Sequence, residues 1–303
     1  MTVKKSDLAI GILVMIIWGA NFSVIGVGLG SLDPFLMTFL RAILCAFPLV
    51  FFIKKPKNIS VSTLAIYGII FGVGMGGGMN LAMTNGLSAG MTSVLLQFSA
   101  FFTIIFGYLF LKENITKTHV VGMMFSSAGL LIIVFASNDH STHFGILFIL
   151  LAALCWAVCN LIVKIKKPED MIAFIVWSSL FSAPVLLIVT LLAEGTEPLA
   201  HMYSTLTWQG AFSVLFQSYV TTIFGYMTWN NLLKKHPTHT IAPLSLIVPV
   251  AGIFTSYLFF HEQLSVIQGL AILCIFIGIS IFINSATINK RVSKRQAQCL
   301  NTL

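Results

Sequence analysis

Gly107-Tyr108-Leu109-Phe110-Leu111-Lys112-Glu113 returns later in the chain as Ser256-Tyr257-Leu258-Phe259-Phe260-His261-Glu262. The helices that follow keep the register, so that Gly129 falls on Gly278. Earlier segments echo too: Trp18 with Asn21 resembles Trp156 with Asn160, and Phe47-Pro48 resembles Ala183-Pro184. A two-fold internal repeat in an apolar chain is the mark of a secondary transporter, in which two similar halves enclose one site.

Outward from that repeat, the composition says that the solvent is lipid. Hydrophobic residues make up 57% of the 303 positions and charged residues only 9%, with a mean hydropathy of +0.97. A soluble chain of this length would need far more charge to cover its surface. The net charge of +8 does not mark a nucleic-acid binder, because Lys and Arg stand in short clusters between apolar runs. Four of the five cysteines lie within apolar runs and Cys299 lies in the tail, which is no disulfide framework. The first apolar run is long and is followed by others, so it does not read as a cleavable signal.

A crossing takes about 20 apolar residues, and ten candidates can be placed. The first half offers Leu8 to Gly28, Pro34 to Ile53, Thr63 to Asn85, Thr92 to Leu111 and Val120 to Ala136. The second offers Phe144 to Val163, Met171 to Ala193, Trp208 to Leu232, Ile241 to Phe260 and Val266 to Asn284. With ten spans, every Lys and Arg except Arg41 falls on one side: Lys4 and Lys5, then Lys54, Lys55 and Lys57, then Lys112 and Lys117 in the first half. Lys164, Lys166, Lys167, Lys234, Lys235 and the tail from Lys290 to Arg295 follow in the second. The positive-inside rule then makes both termini cytoplasmic. Five spans per half is an odd number, so the second half enters from the opposite face. The expected fold is an all-α integral membrane protein of ten transmembrane helices in two inverted five-helix repeats. These repeats cover residues 1–140 and 141–289, with a basic cytoplasmic tail at 290–303.

Two further sets of residues carry a family resemblance. One is the closing motif of spans four and nine, Lys112-Glu113-Asn114-Ile115 and His261-Glu262-Gln263-Leu264. The other comprises Trp18-Gly19-Ala20-Asn21-Phe22, Leu96-Gln97, Ala100-Phe101-Phe102-Thr103-Ile104 and the run from Ala242 to Val250. With them the chain resembles the drug/metabolite transporter superfamily of the EamA type, over nearly its whole length, although the closing motif departs from the family's glycine. The nearer resemblance is to amino-acid metabolite exporters that release cysteine and O-acetylserine. It implies a multi-pass protein of the bacterial inner membrane and a central pathway built from spans one, three, four, six, eight and nine.

Arg41 is the one basic residue inside a span. A charge at the bilayer centre costs roughly 2.5–3.5 kcal/mol on insertion scales, so it must face protein or water. Two readings stand: a counter-charge for a substrate carboxylate, or a structural arginine bonded to the carbonyls of a neighbouring broken helix. Polar side chains recur at helical spacing: Trp18 with Asn21, Asn80 with Thr84, Gln97, Trp156 with Asn160, and the stripe Tyr219, Thr222, Tyr226 and Asn230. Each can be helix-to-helix glue, worth about 0.6 kcal/mol on average in lipid, or can line a shared cavity. Their placement on the pathway spans favours the cavity. Gly68, Gly72 and Gly76 read as a close-packing ladder, with a hinge as the sharper alternative. Pro184, Pro243 and Pro249 are expected to kink spans seven and nine, and Glu113 and Glu262 to cap the helices that follow them. His140 with His143 and His236 with His239 lie in loops without Cys or carboxylate partners, so no metal site is expected.

The reading that follows is a secondary transporter exporting small zwitterionic amino acids and their metabolites by alternating access, within a lipid bilayer and without a cofactor. No GxxxxGK[ST] is present, so ATP is not its direct energy source. An aromatic amino-acid or drug exporter is the rival within transport. An integral-membrane enzyme is the rival from another class, and it would need clustered carboxylates or histidines that are scattered here among loops.

Overall fold

The computed structural model describes residues 4–112, 115–136, 140–236 and 242–283. Glu113, Asn114, His239 and the tail from residue 284, all invoked above, lie outside them. The long helices are α1 (Lys5–Leu29), α2 (Pro34–Ala46), α3 (Val61–Thr84), α4 (Ala89–Leu111), α5 (Lys117–Ala136), α6 (His140–Lys166) and α7 (Met171–Ala193). Then come α8 (208–235), α9 (Ile247–Phe260, entered through a 3-10 turn at Ala242–Leu246) and α10 (Val266–Ile283). Among the described residues there is no strand. Seven helical stretches are long and apolar enough to cross a membrane, and Leu244–Phe260 and Val266–Ile281 are shorter apolar helices.

In the second expected span the α-helix stops early. α2 stops at Ala46, and the chain runs through a cis Phe47–Pro48 bond into a single 3-10 turn at Leu49–Phe51. Pro48 has no N–H for the helical ladder. Two helices change pitch midway: α3 is a π-helix over Ile70–Gly77 and α8 over Phe216–Phe224. α4 breaks at Leu96-Gln97 between Ala89–Leu95 and Phe98–Leu111. The π segments of α3 and α8 and the break in α4 lie where those helices line the interior described below, the setting in which non-helical backbone is tolerated at membrane depth. Pro184 sits inside α7 and Pro249 in the first turn of α9.

Helices meet through small residues, because lipid offers no hydrophobic drive for packing. α5 and α10 form one pair, in which a Cβ at Gly129 would come 2.5 Å from the Ala271 carbonyl oxygen. Ser126 adds a bond to the Ile275 carbonyl at 3.1 Å across the same pair. α1 packs on α9, α6 on α4, and α2 on α7. Gly68 meets the Ser178 backbone of α7 without room for a side chain, and Gly72 meets Ser182. The glycine ladder of α3 is therefore a packing surface. The outward faces of α5 and α10 carry exposed Met124, Phe125, Phe135, Val266 and Leu270, as a lipid-facing surface should.

The connections are tied in pairs. Asn58 donates to Glu169 at 2.8 Å, and Trp177 Nε1 to the Ile53 carbonyl at 3.0 Å. His236 lies 2.7 Å from Asp7. Glu194 accepts from the Phe35 and Leu36 amides at 2.6 and 3.2 Å, which caps the free N–H groups at the start of α2. Burial pushes the Glu194 carboxyl above its usual range, against the pull of those two amides. Glu262 departs from the expected role. Gln268 and Ser265 cap α10 reciprocally, at 2.9 and 3.2 Å, while the Glu262 carboxylate turns back to Ser88 and Ser256.

Candidate functional site

α1, α3, α4, α6, α8 and α9 enclose a cavity of about 400 Å³, and Arg41 enters it from α2. That volume holds one small molecule. Trp18, Asn21, Arg41, Gln97, Trp156, Asn160 and Tyr226 all line it. The structure thus brings together residues that lie in five different helices.

One wall is aromatic. Trp18 and Tyr226 have ring centroids 5.1 Å apart, Trp18 and Trp229 6.0 Å, and Trp156 and Tyr226 5.9 Å. The π-helical stretch of α8 positions this wall. The Thr221 carbonyl accepts from the Trp18 indole N–H at 3.0 Å, and the Thr221 hydroxyl donates to Asn21 Oδ1 at 3.0 Å. Gly225 leaves the space into which the Trp18 indole fits.

The polar groups differ in how far the protein satisfies them. Asn160 donates to Thr103 at 3.2 Å. Gln97, at the break in α4, is half-buried, and its side-chain amide meets no hydrogen-bond partner among the described residues. Arg41 is 8% exposed and has its Cζ 5.3 Å from the centre of the Phe71 ring. Among the described residues no carboxylate or carbonyl meets its guanidinium, so the structural reading, an arginine tied to a broken helix, is not what the geometry shows. Among the described residues the cavity lining contains no Asp or Glu. A planar cation with five donors therefore faces this space without a counter-ion.

Two expected site residues lie elsewhere. Asn80 is buried behind the cavity, where its Nδ2 donates to the Pro34 carbonyl and to Thr38, both at 2.9 Å. It ties α3 to α2. Tyr219 is half-buried on α8 but is not in the lining. The other three residues of its stripe, Thr222, Tyr226 and Asn230, do line the cavity, and the wider turns of the π segment bring Thr221 in beside them. Trp229, Phe71 and Ser245 are among the further lining residues. Asn80→Leu is accordingly expected to lower membrane abundance and thermal stability, by about 1–3 kcal/mol for the orphaned partners, while the surviving protein keeps its apparent substrate affinity. Thermal unfolding in detergent beside concentration-dependent uptake checks both halves of that statement.

His143 Nε2 lies 3.1 Å from the Val134 carbonyl, and Cys155 fills the space over Gly74. Both have local packing roles. Among the described residues no three His, Cys, Asp or Glu side chains converge as a metal site would need.

The model of the EamA-like transporter family matches residues 5–135 and again residues 143–284. The chain belongs to the EamA-like transporter family. A probable amino-acid metabolite efflux pump of Escherichia coli (strain K12) is 30% identical over 92% of this chain and 95% of its own length. The protein of the same description from Salmonella typhimurium is 32% identical over the same shares. An uncharacterized transporter of Bacillus subtilis is 30% identical over 92% of this chain and 97% of its own. A crystal structure with 16% sequence identity superposes over 96% of this chain and 99% of its own with a TM-score of 0.59, which speaks to the fold alone. An EamA-like protein with this many apolar helices is a multi-pass membrane transporter, and the family's transport function sets it apart from the enzymes.

Proposed function

We propose that this EamA-like protein exports small zwitterionic amino acids and their metabolites, of the cysteine and O-acetylserine type, by alternating access across a bacterial inner membrane. The observation that carries the reading is Arg41: a guanidinium without an acidic partner among the described residues, at the wall of a cavity whose described lining holds no carboxylate. A substrate carboxylate supplies the bidentate partner that the protein withholds. The ammonium end then lies against the ring faces of Trp18, Tyr226 and Trp229, where cation–π attraction is worth about 2 kcal/mol once water is excluded. Asn21, Asn160 and Gln97 offer amide oxygens beside it. A purely cationic drug would place like charge against Arg41, at a cost of several kcal/mol.

The proposal includes ten spans in two inverted repeats, residues 1–140 and 141–289, with both termini cytoplasmic. The contacts between connections support it. Asn58 with Glu169, Asp7 with His236, Phe35 with Glu194 and Ser88 with Glu262 each join segments that this topology puts on one side. The packing partners support it as well: α1 on α9 becomes α6 on α4 when the halves are exchanged, while α2 with α7 and α5 with α10 pair across the halves. The names of the Escherichia coli and Salmonella typhimurium relatives agree with the cargo class.

Efflux of labelled cysteine, O-acetylserine and phenylalanine from preloaded vesicles tests the cargo. The expected result is efflux of the two small zwitterions well above that from protein-free vesicles. Faster phenylalanine efflux with no cysteine signal would move the assignment to an aromatic exporter, for which the wall around Trp18 would be the binding surface.

A further inference from the structure

A second cavity, of about 500 Å³, lies in series with the first. Along α1 the first is lined by Trp18, Asn21 and Phe22, and the second by Gly26, Leu29 and Gly30. Along α4 the order is Gln97 and then Ser88, and along α9 it is Val248 and then Ser256. α3 continues from Met79 to Thr84 in the same sense.

The two spaces are separated by a seal between the halves of the chain. A Cβ at Gly19 of α1 would come 2.5 Å from the Ala251 Cβ of α9, so the two backbones touch there. One turn further, Ser23 donates to Thr255 at 2.9 Å. Gly252 of α9 packs directly on Ser93 of α4. At the end of this seam the Glu262 carboxylate accepts from Ser88 with one oxygen and from Ser256 with the other. Ser88 is also the N-cap of α4, where it accepts from the Met91 amide at 3.3 Å. Glu262 therefore holds the start of a pathway helix of the first half against a pathway helix of the second.

We propose that the second cavity is the outer vestibule of the transport path, and that Ser88, Glu262 and Ser256 are the latch that shuts it. This rests on the orientation and on the alternating access proposed above. The sequence does not repeat this triad in the other half. In the register that puts Gly107 on Ser256, Glu113 stands where Glu262 does, but the positions of Ser256 and Ser88 are taken by Gly107 and Pro237. Neither has a hydroxyl to donate. One end of the path closes with two charge-assisted hydrogen bonds that the sequence does not repeat at the other. The unloaded protein then rests with its cavity closed to the outside and available to the cytoplasm, the resting state an exporter needs.

The test is labelling of Ala100→Cys, in the first cavity, by a membrane-impermeant maleimide, with the native cysteines replaced. With the latch intact the external reagent should label it slowly. Ser88→Ala and Glu262→Gln should each raise the external rate tenfold or more and lower the rate from the cytoplasmic face. Should Glu262→Gln reduce abundance, Ser88→Ala carries the test, because it removes one hydroxyl only. Unchanged rates from both faces in a well-folded Ser88→Ala protein would overturn the latch. Thr84→Cys, in the vestibule, reads the orientation separately. It should label from outside in every variant, and labelling only from the cytoplasmic face would reverse the orientation while leaving the effect of Ser88→Ala to be read from that face.

Discussion

Arg41→Gln is expected to abolish most transport of zwitterionic substrates while leaving the protein in the membrane at close to its usual abundance. The guanidinium has an aromatic ring beneath it and no acidic partner among the described residues, so its removal breaks no ion pair there. It also relieves the cost of holding a charge that is 8% exposed at membrane depth. The loss falls on the loaded state, where a substrate carboxylate would lose its partner in a water-poor site. Breaking a buried pair in this way costs about 3–5 kcal/mol, which corresponds to roughly a hundredfold or more in apparent affinity. Arg41→Lys should recover only part of it, because a point charge cannot reproduce the planar fork. Uptake at a series of substrate concentrations, normalised to membrane abundance, is the measurement. Wild-type transport by Arg41→Gln would remove the carboxylate site from the proposal.

The second large effect is on folding. Gly68→Val drives a branched side chain into the Ser178 backbone of α7, and a carbonyl in a helix has no rotamer by which to yield. Overpacking costs about 1–3 kcal/mol where side chains can adjust, and more where they cannot, so the α3–α7 contact should open and the protein fall largely out of the membrane fraction. Gly269→Ala is the matched control. Nothing lies within 4 Å of a Cβ there, and alanine in place of glycine favours a helix by about 1 kcal/mol. Abundance and thermal unfolding should therefore be unchanged or slightly improved. Equal loss in the two variants would mean that glycine serves helix flexibility in general, and not the close approach at Gly68.

Much of this molecule is legible in one dimension. The apolar runs, the clustering of Lys and Arg between them and the return of the Tyr108 motif at Tyr257 are linear properties, set by the length of a membrane crossing and by a duplicated pattern. Arg41 and Gln97 stood out by type alone, since a charge or a full amide within an apolar run demands a partner or a cavity. Trp18, Asn21, Trp156 and Asn160 stood out because the repeat pairs them. Other features depend on local backbone that no spacing announces. The π segment of α8 leaves Tyr219 out of the lining and brings Thr221 into it, since a wider turn shifts side chains around the helix axis. α2 ended at Ala46 although the apolar run continues past it.

What the sequence by itself determined is which segments are apolar, how they alternate and which polar residues are out of place among them. Whether a polar side chain is glue or site was decided only by tertiary structure. Asn80 and Gln97 are amides in similar surroundings of sequence, yet Asn80 finds the Pro34 carbonyl and Thr38 on α2, while Gln97 meets no partner at the cavity wall. Glu262 shows the same dependence. Ser265 and Gln268, its neighbours in sequence, take the capping role expected of it, and its own partner Ser88 is distant in the chain. Hydrogen bonds and charge pairs act over about 3 Å in space, so their partners are set by which helices pack together, and position along the chain does not carry that information.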